Sequence, residues 1–158
     1  ANQRIDLHVL SAIAKRFQVS FEALCIRFIK FTKQRAILVY WDNGFVKYEW
    51  RSSSAVKTRA RIRRNGDPQE PLPGTLVSDA SIEQEWDGTE MSAAVWCPEE
   101  AAHMKLWEFK HTYSARDRIL TLLLLENAEP RSWDRSWQDE ESFDSFDQFV
   151  SNGQLPVR

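Results

Sequence analysis

Three histidines, His8, His103 and His111, and two cysteines, Cys25 and Cys97, are the side chains of this chain best suited to hold a metal or attack a substrate. A zinc hydrolase places two imidazoles on one helix face, as in His-Glu-x-x-His, so that both reach one ion. No pair here has that spacing. His111 falls on the aromatic face of an expected strand, where a hydrogen-bonded, half-buried imidazole is the ordinary outcome. The sequence also lacks a Gly-x-Ser-x-Gly elbow and a glycine-rich phosphate loop, and its five glycines all stand beside turn or loop signals. Glu99 with Glu100, and Asp139 to Glu141, read as solvated helix ends, where negative charge near an N-terminus is favoured. The chain is therefore expected to carry no catalytic residue, no metal ligand and no cofactor of its own.

Two further sets of residues suit recognition rather than catalysis. Arg27, Lys30 and Lys33, together with Lys57, Arg59, Arg61 and Arg63, are candidate contacts for DNA phosphates or an acidic partner. A solvated charged edge is the commoner explanation for the second group. Trp41, Trp50, Trp96, Trp107 and Tyr113 are candidate walls of a ligand pocket, although such rings are more often plain core.

The elements that would position these residues follow from hydrophobic period. Leu7, Leu10, Ile13, Ala14 and Phe17 recur at helical spacing, Gln18-Val19-Ser20 breaks the pattern, and Leu24, Ile26, Phe28 and Ile29 resume it. Ser20 is a natural N-cap for the second helix. The small Ala14 on the first helix and the apolar Val19 in the turn fit a helix-turn-helix crossing. A DNA-reading unit would present the start of its second helix, here Phe21 and Glu22, a poor match to bases or phosphates.

From Ala36 the period changes. Ala36 to Trp41 is continuously apolar, Asp42-Asn43-Gly44 supplies turn residues, and Val46, Tyr48 and Trp50 alternate with charged neighbours. A β-hairpin follows, its first strand buried on both faces and its second showing one face to water. Val56, Thr58, Ala60 and Ile62 alternate with Lys57, Arg59, Arg61 and Arg63, which predicts a charged edge strand. Loops follow at 65–68 and 71–74, then a short helix over Ser78 to Trp86, a strand over Met91 to Trp96 and a helical first turn at Pro98-Glu99-Glu100. Met104 to Tyr113 and Ile119 to Leu125 form a second hairpin around Ser114 to Asp117. Phe143, Phe146 and Phe149 are spaced by threes, consistent with one amphipathic helix between Asp139 and Val150.

The fold expected is α+β: N-terminal helix-turn-helix-like helices, then an antiparallel sheet of about five strands with helices on one face, in the element order of PAS or GAF sensory folds. Three units are expected: 1–34 helical, 35–128 sheet, and 129–158 an acidic, aromatic-containing tail. The longest apolar run, Leu122 to Leu125, is far short of the roughly 20 residues of a membrane-spanning helix, so no membrane partner is expected. Two cysteines provide no disulfide framework, and the cytoplasm is the compartment expected. Net charge is only −2, but seven basic residues stand against two acidic ones in the first 36 positions, while 65–100 has no Lys or Arg. The start at Ala1, with no initiator Met, is expected to be a cut inside a longer chain.

The segment from Leu10 to Ser53, with Ala14-x-x-Phe17-x-Val19-Ser20-x-x-Ala23 followed by a hairpin and Trp50-x-Ser52, resembles the region after the catalytic bundle of ImmA/IrrE-family metallopeptidases. Pro73-Gly74-Thr75-Leu76, Ala94-Val95-Trp96, Trp107-Glu108 and Leu120-Thr121-Leu122-Leu123 extend the likeness over most of residues 7–126. The resemblance implies an upstream zinc protease domain with His-Glu-x-x-His, a DNA-binding repressor as protein partner, and a GAF-like domain for a small-molecule signal. It carries no catalytic residue onto this chain, where zinc is expected only in a missing N-terminal domain. The reading is a regulatory, sensory or interaction module of a stress-response transcription regulator. The alternative is a DNA-binding regulator using the helix-turn-helix and segment 57–64.

Overall fold

A computed structural model describes residues 4–128. The acidic tail, including the helix expected within 139–150, lies outside the described residues.

Two helices open the chain, α1 (Leu7–Phe17) and α2 (Phe21–Phe31). Each is capped where the sequence places a short oxygen-bearing side chain: Asp6 accepts the Val9 N–H at 2.9 Å and Ser20 accepts the Ala23 N–H at 3.0 Å. Gln18 takes a left-handed conformation that ends α1, and the next N–H, of Val19, returns to the Ala14 carbonyl. Ala14 is buried as expected, but Val19 is exposed and packs no turn.

The sheet has five antiparallel strands: β1 (Arg35–Asp42), β2 (Phe45–Arg51), β3 (Gln84–Ser92), β4 (Lys105–Thr112) and β5 (Arg118–Leu125), in spatial order β2-β1-β5-β4-β3. Both hairpins stand where the sequence puts them. Asn43 and Gly44, at φ 55° and 85°, give the two positive-φ positions of a tight hairpin turn. One detail differs: Lys47 is an extra residue in β2, since Tyr40 pairs with Tyr48 while Trp41 pairs with Val46. That bulge sends Val46 to one face of the sheet and Tyr48 and Trp50 to the other, so these three do not share a face.

Both faces of the sheet are covered. Leu38, Tyr40, Phe109, Leu120, Leu122 and Leu124 pack under α1 and α2 on the helix face. On the loop face Ile37, Val39, Trp41, Leu106 and Leu123 pack against Ala60, Ile62, Leu72, Val77 and Trp96 from the long connections. This explains why β1 and β5 read as unbroken apolar runs.

Three expectations are overturned in those connections. Ser53–Lys57 is a short helix, α3, rather than the start of an edge strand. Ser52 dictates this: its buried hydroxyl accepts the Ala55 N–H as an N-cap, accepts the Ala36 N–H, and donates to the Gln34 carbonyl. Thr58 and Arg59 form the turn that ends α3, Arg59 at φ 61°, and Thr58, Ala60 and Ile62 still alternate inward without belonging to a strand, because they fill the loop face. No helix forms at 78–86, where Asp79 accepts the backbone and hydroxyl donors of Ser81 in a tight turn and Gln84 already begins β3. The strand expected at 91–96 ends at Ser92, whose hydroxyl accepts the Ala94 N–H and starts a single 3-10 turn over Ala93–Val95.

Candidate functional site

Two clusters of polar and aromatic side chains stand out, one on each face of the sheet. The loop-face cluster is built by β4, whose Glu108 and Lys110 are only 0% and 1% exposed. Glu108 accepts the Leu76 N–H at 2.9 Å, the Val77 N–H at 3.0 Å and the Trp96 indole N–H at 3.2 Å. Lys110 donates to the carbonyls of Leu76 and Asp79. Burial raises the Glu108 carboxyl above its ordinary value, opposed by those three donors and by Lys110, and burial lowers the Lys110 amine. Beside them the Trp41 indole donates to Thr121 at 3.0 Å. Both oxygens of Glu108 thus hold the 76–77 backbone and the Trp96 indole against the sheet, a positioning role.

A second buried pair closes the same layer. Arg35, at the start of β1, forks onto Glu100, the closest approach being 2.7 Å with both side chains almost fully enclosed. Glu100 is therefore not the solvated helix-end carboxylate its position suggests, and 98–100 is a turn.

On the helix face an aromatic line crosses four strands. Trp86 donates its indole N–H to His111 Nδ1 at 3.3 Å, His111 meets Tyr113 edge-on, Tyr113 meets Tyr40, and Tyr40 stacks near Tyr48, which stacks on Trp50. The start of α2 seals this line: Phe21 stacks on Trp86 and touches His111, while the Tyr113 hydroxyl donates to Glu22. Burial lowers the His111 imidazole, and burial together with the Glu22 carboxylate pushes the Cys25 thiol up to about 12.

The five candidate pocket residues divide between the two faces. Trp41 and Trp96 are buried on the loop face with ring centroids 6.3 Å apart, whereas Trp50, Trp107 and Tyr113 are half-buried on the helix face, Arg4 lying over Trp107. Two surface depressions lie elsewhere. One of about 660 Å³ is open and lined by Val46, Arg64 and 66–69; the other lies between Arg4, Asp6, Val9 and Asp87.

The seven candidate basic residues divide likewise. Arg27 is exposed and Lys30 half-exposed on α2, and Lys33 is exposed in the short connection that follows it. Lys57, Arg59, Arg61 and Arg63 belong to the segment that covers the loop face, with Lys57 and Arg63 exposed and Arg59 and Arg61 half-buried. Arg63 donates to the Ala94 carbonyl, and nearby Arg64 pairs with Glu49 at 3.4 Å. The two groups therefore do not form one electrostatic footprint.

Sequence reasoning missed Glu108, Lys110 and the Arg35–Glu100 pair. Glu108 and Lys110 lie on β4, an inner strand between β5 and β3, and their alternation with apolar residues reads as a wet face until the strand order is known. Among the described residues no group of three or more His, Cys, Asp and Glu is placed to hold a metal, and no helix is long and apolar enough to cross a membrane. No protein-family model matches the chain, and no curated protein matches its sequence.

Proposed function

We propose that this chain is a non-catalytic interaction module of a zinc-peptidase-type transcription regulator, and that it engages partners through the outer surface of its α1–α2 layer. One observation carries the reading. The sheet is filled on both faces, with Phe45 and Tyr48 of β2 38% and 44% exposed, while the helical layer presents Phe17 and Phe31 more openly, at 66% and 68% exposure, among Lys15, Arg16, Arg27 and Lys33. Support for the finer parts of the reading comes from the ordered motifs of residues 7–126 and from the hairpin, connection, strand, hairpin succession of PAS and GAF folds.

A sensing role would need a ligand to enter beside Trp41 and Trp96, where Ile62, Leu72 and Val77 already sit. Thermal-shift screening with metabolites is therefore expected to leave the melting temperature unchanged. DNA binding remains the second reading because Arg27 and Lys30 on α2 and Lys33 just after it are basic. Against it, the first turn of α2 faces the sheet through Phe21 and Glu22, so it is not free to enter a groove. Fluorescence anisotropy with a short duplex at low salt decides this, since phosphate contacts must weaken steeply as salt rises.

The family reading is tested by the coding sequence ahead of Ala1. A His-Glu-x-x-His motif there supports it, and an unrelated preceding sequence removes it. Titration calorimetry between that peptidase domain and this chain then tests docking. A Phe17→Ser/Phe31→Ser double variant is expected to bind at least about tenfold more weakly, the scale of one lost apolar anchor per 1.4 kcal/mol. Equal binding by the variant would discard the proposed surface.

A further inference from the structure

The helical surface has a candidate occupant within the same chain. Strand β5 ends at Leu125, which pairs with Arg35, and Arg35 follows the end of α2 at Phe31 by four residues. The chain therefore leaves the sheet at the end where α2 hands over to β1, Glu126 bonding to Lys105 at the start of β4, and Arg27, Lys30 and Phe31 at the end of α2 and Lys33 just after it lie toward the same end. Phe31 is largely exposed there, with the Arg27 guanidinium 5.6 Å and the Lys30 ammonium 5.9 Å from its ring centre. Segment 139–150 has complementary chemistry. It carries Asp139, Glu140, Glu141, Asp144 and Asp147 with no Lys or Arg, and adds Phe143, Phe146 and Phe149.

We propose that the acidic, phenylalanine-bearing segment 139–150 docks in cis on the basic C-terminal half of α2, covering Phe31 and masking the surface that outside partners use. Reach is sufficient. The eleven residue steps from 128 to 139 extend to at most about 40 Å, more than twice the roughly 16 Å length of α2. Charge complementarity sets where the segment lands, and burial of phenylalanine against Phe31 supplies the apolar part of the contact. A DNA duplex or an acidic partner at this surface would have to displace the segment. The inference takes from the proposed function only the importance of this surface, and the contact is measured without any outside partner, so either can fail alone.

Paramagnetic relaxation on the full chain tests it. The native thiols of Cys25 and Cys97 are both buried and both pushed up to about 12, so a nitroxide reagent should label Ser145→Cys alone. At about 0.1 M salt, where exposed charges still interact over roughly 10 Å, amides from Arg27 to Lys33 should lose most of their intensity. Amides of β3 should keep theirs. The loss should be relieved in an Arg27→Glu/Lys33→Glu variant, which changes two exposed positions and whose retained amide dispersion shows that it is folded. Unchanged intensities along α2, or equal loss over the whole surface, would overturn the proposal. Loss seen only when labelled and isotope-enriched molecules are mixed would also overturn it, because the contact would then lie between copies.

Discussion

At the scale of single residues, Glu108 is the side chain on which the loop face depends most. Replacing it with Ala leaves the Leu76 and Val77 amides, the Trp96 indole and the Lys110 ammonium without its carboxylate. Urea denaturation of Glu108→Ala should show a loss of about 3 kcal/mol or more, with Glu108→Gln falling between it and the parent. His111 has a different signature. Its imidazole is held below the usual histidine range by burial, so the unfolded chain binds a proton near pH 6.5 that the folded chain resists. The stability it contributes is complete above pH 6.5 and is lost as pH falls toward its folded value. Glu108 works in the opposite sense, its raised carboxyl favouring the fold at lower pH, so the His111 share is obtained by difference. Parent and His111→Gln should diverge least near pH 5 and most above pH 7, because the variant keeps an acceptor for Trp86 but cannot titrate. A constant gap across that range in pH-dependent denaturation would remove the assignment.

At the scale of elements, Gly88 and Ser52 set geometries that their neighbours cannot. Gly88 sits at φ 92° in the β3 bulge, and a Cβ there would come within 2.7 Å of the buried Phe109 ring. Gly88→Ala should cost about 3 kcal/mol, from the left-handed backbone and the displaced ring together. Ser52→Ala removes the cap of α3 and strands the Ala36 N–H and the Gln34 carbonyl, a loss of about 2 kcal/mol measurable as a lower melting temperature. These elements also show how far the sequence could be read. The helix pair and both hairpins were legible because period, cap and turn residues agree locally, as at Ser20 and Asn43-Gly44. The 52–62 stretch was misread because alternation of Thr58, Ala60 and Ile62 reports an inward-facing side, not a strand partner. Whether β4 had a wet face could be decided only from β5 beside it, a relation that depends on strand order.

At the scale of the whole molecule, a five-stranded sheet closed on both faces has little room left for a ligand. The two sets of basic residues, both prominent in the sequence, lie on opposite sides of that sheet. The five aromatic candidates are divided the same way, which no period within a single element could reveal. What remains outward is the α1–α2 layer, with its exposed phenylalanines set among cations. Hydrogen exchange of this chain, alone and with the peptidase domain expected ahead of Ala1, tests that surface most directly. The account predicts slowed exchange over 7–33, with the already protected β1 and β5 unchanged. Protection confined to the 60–79 connection, or no change along the helices in a complex that does form, would contradict it.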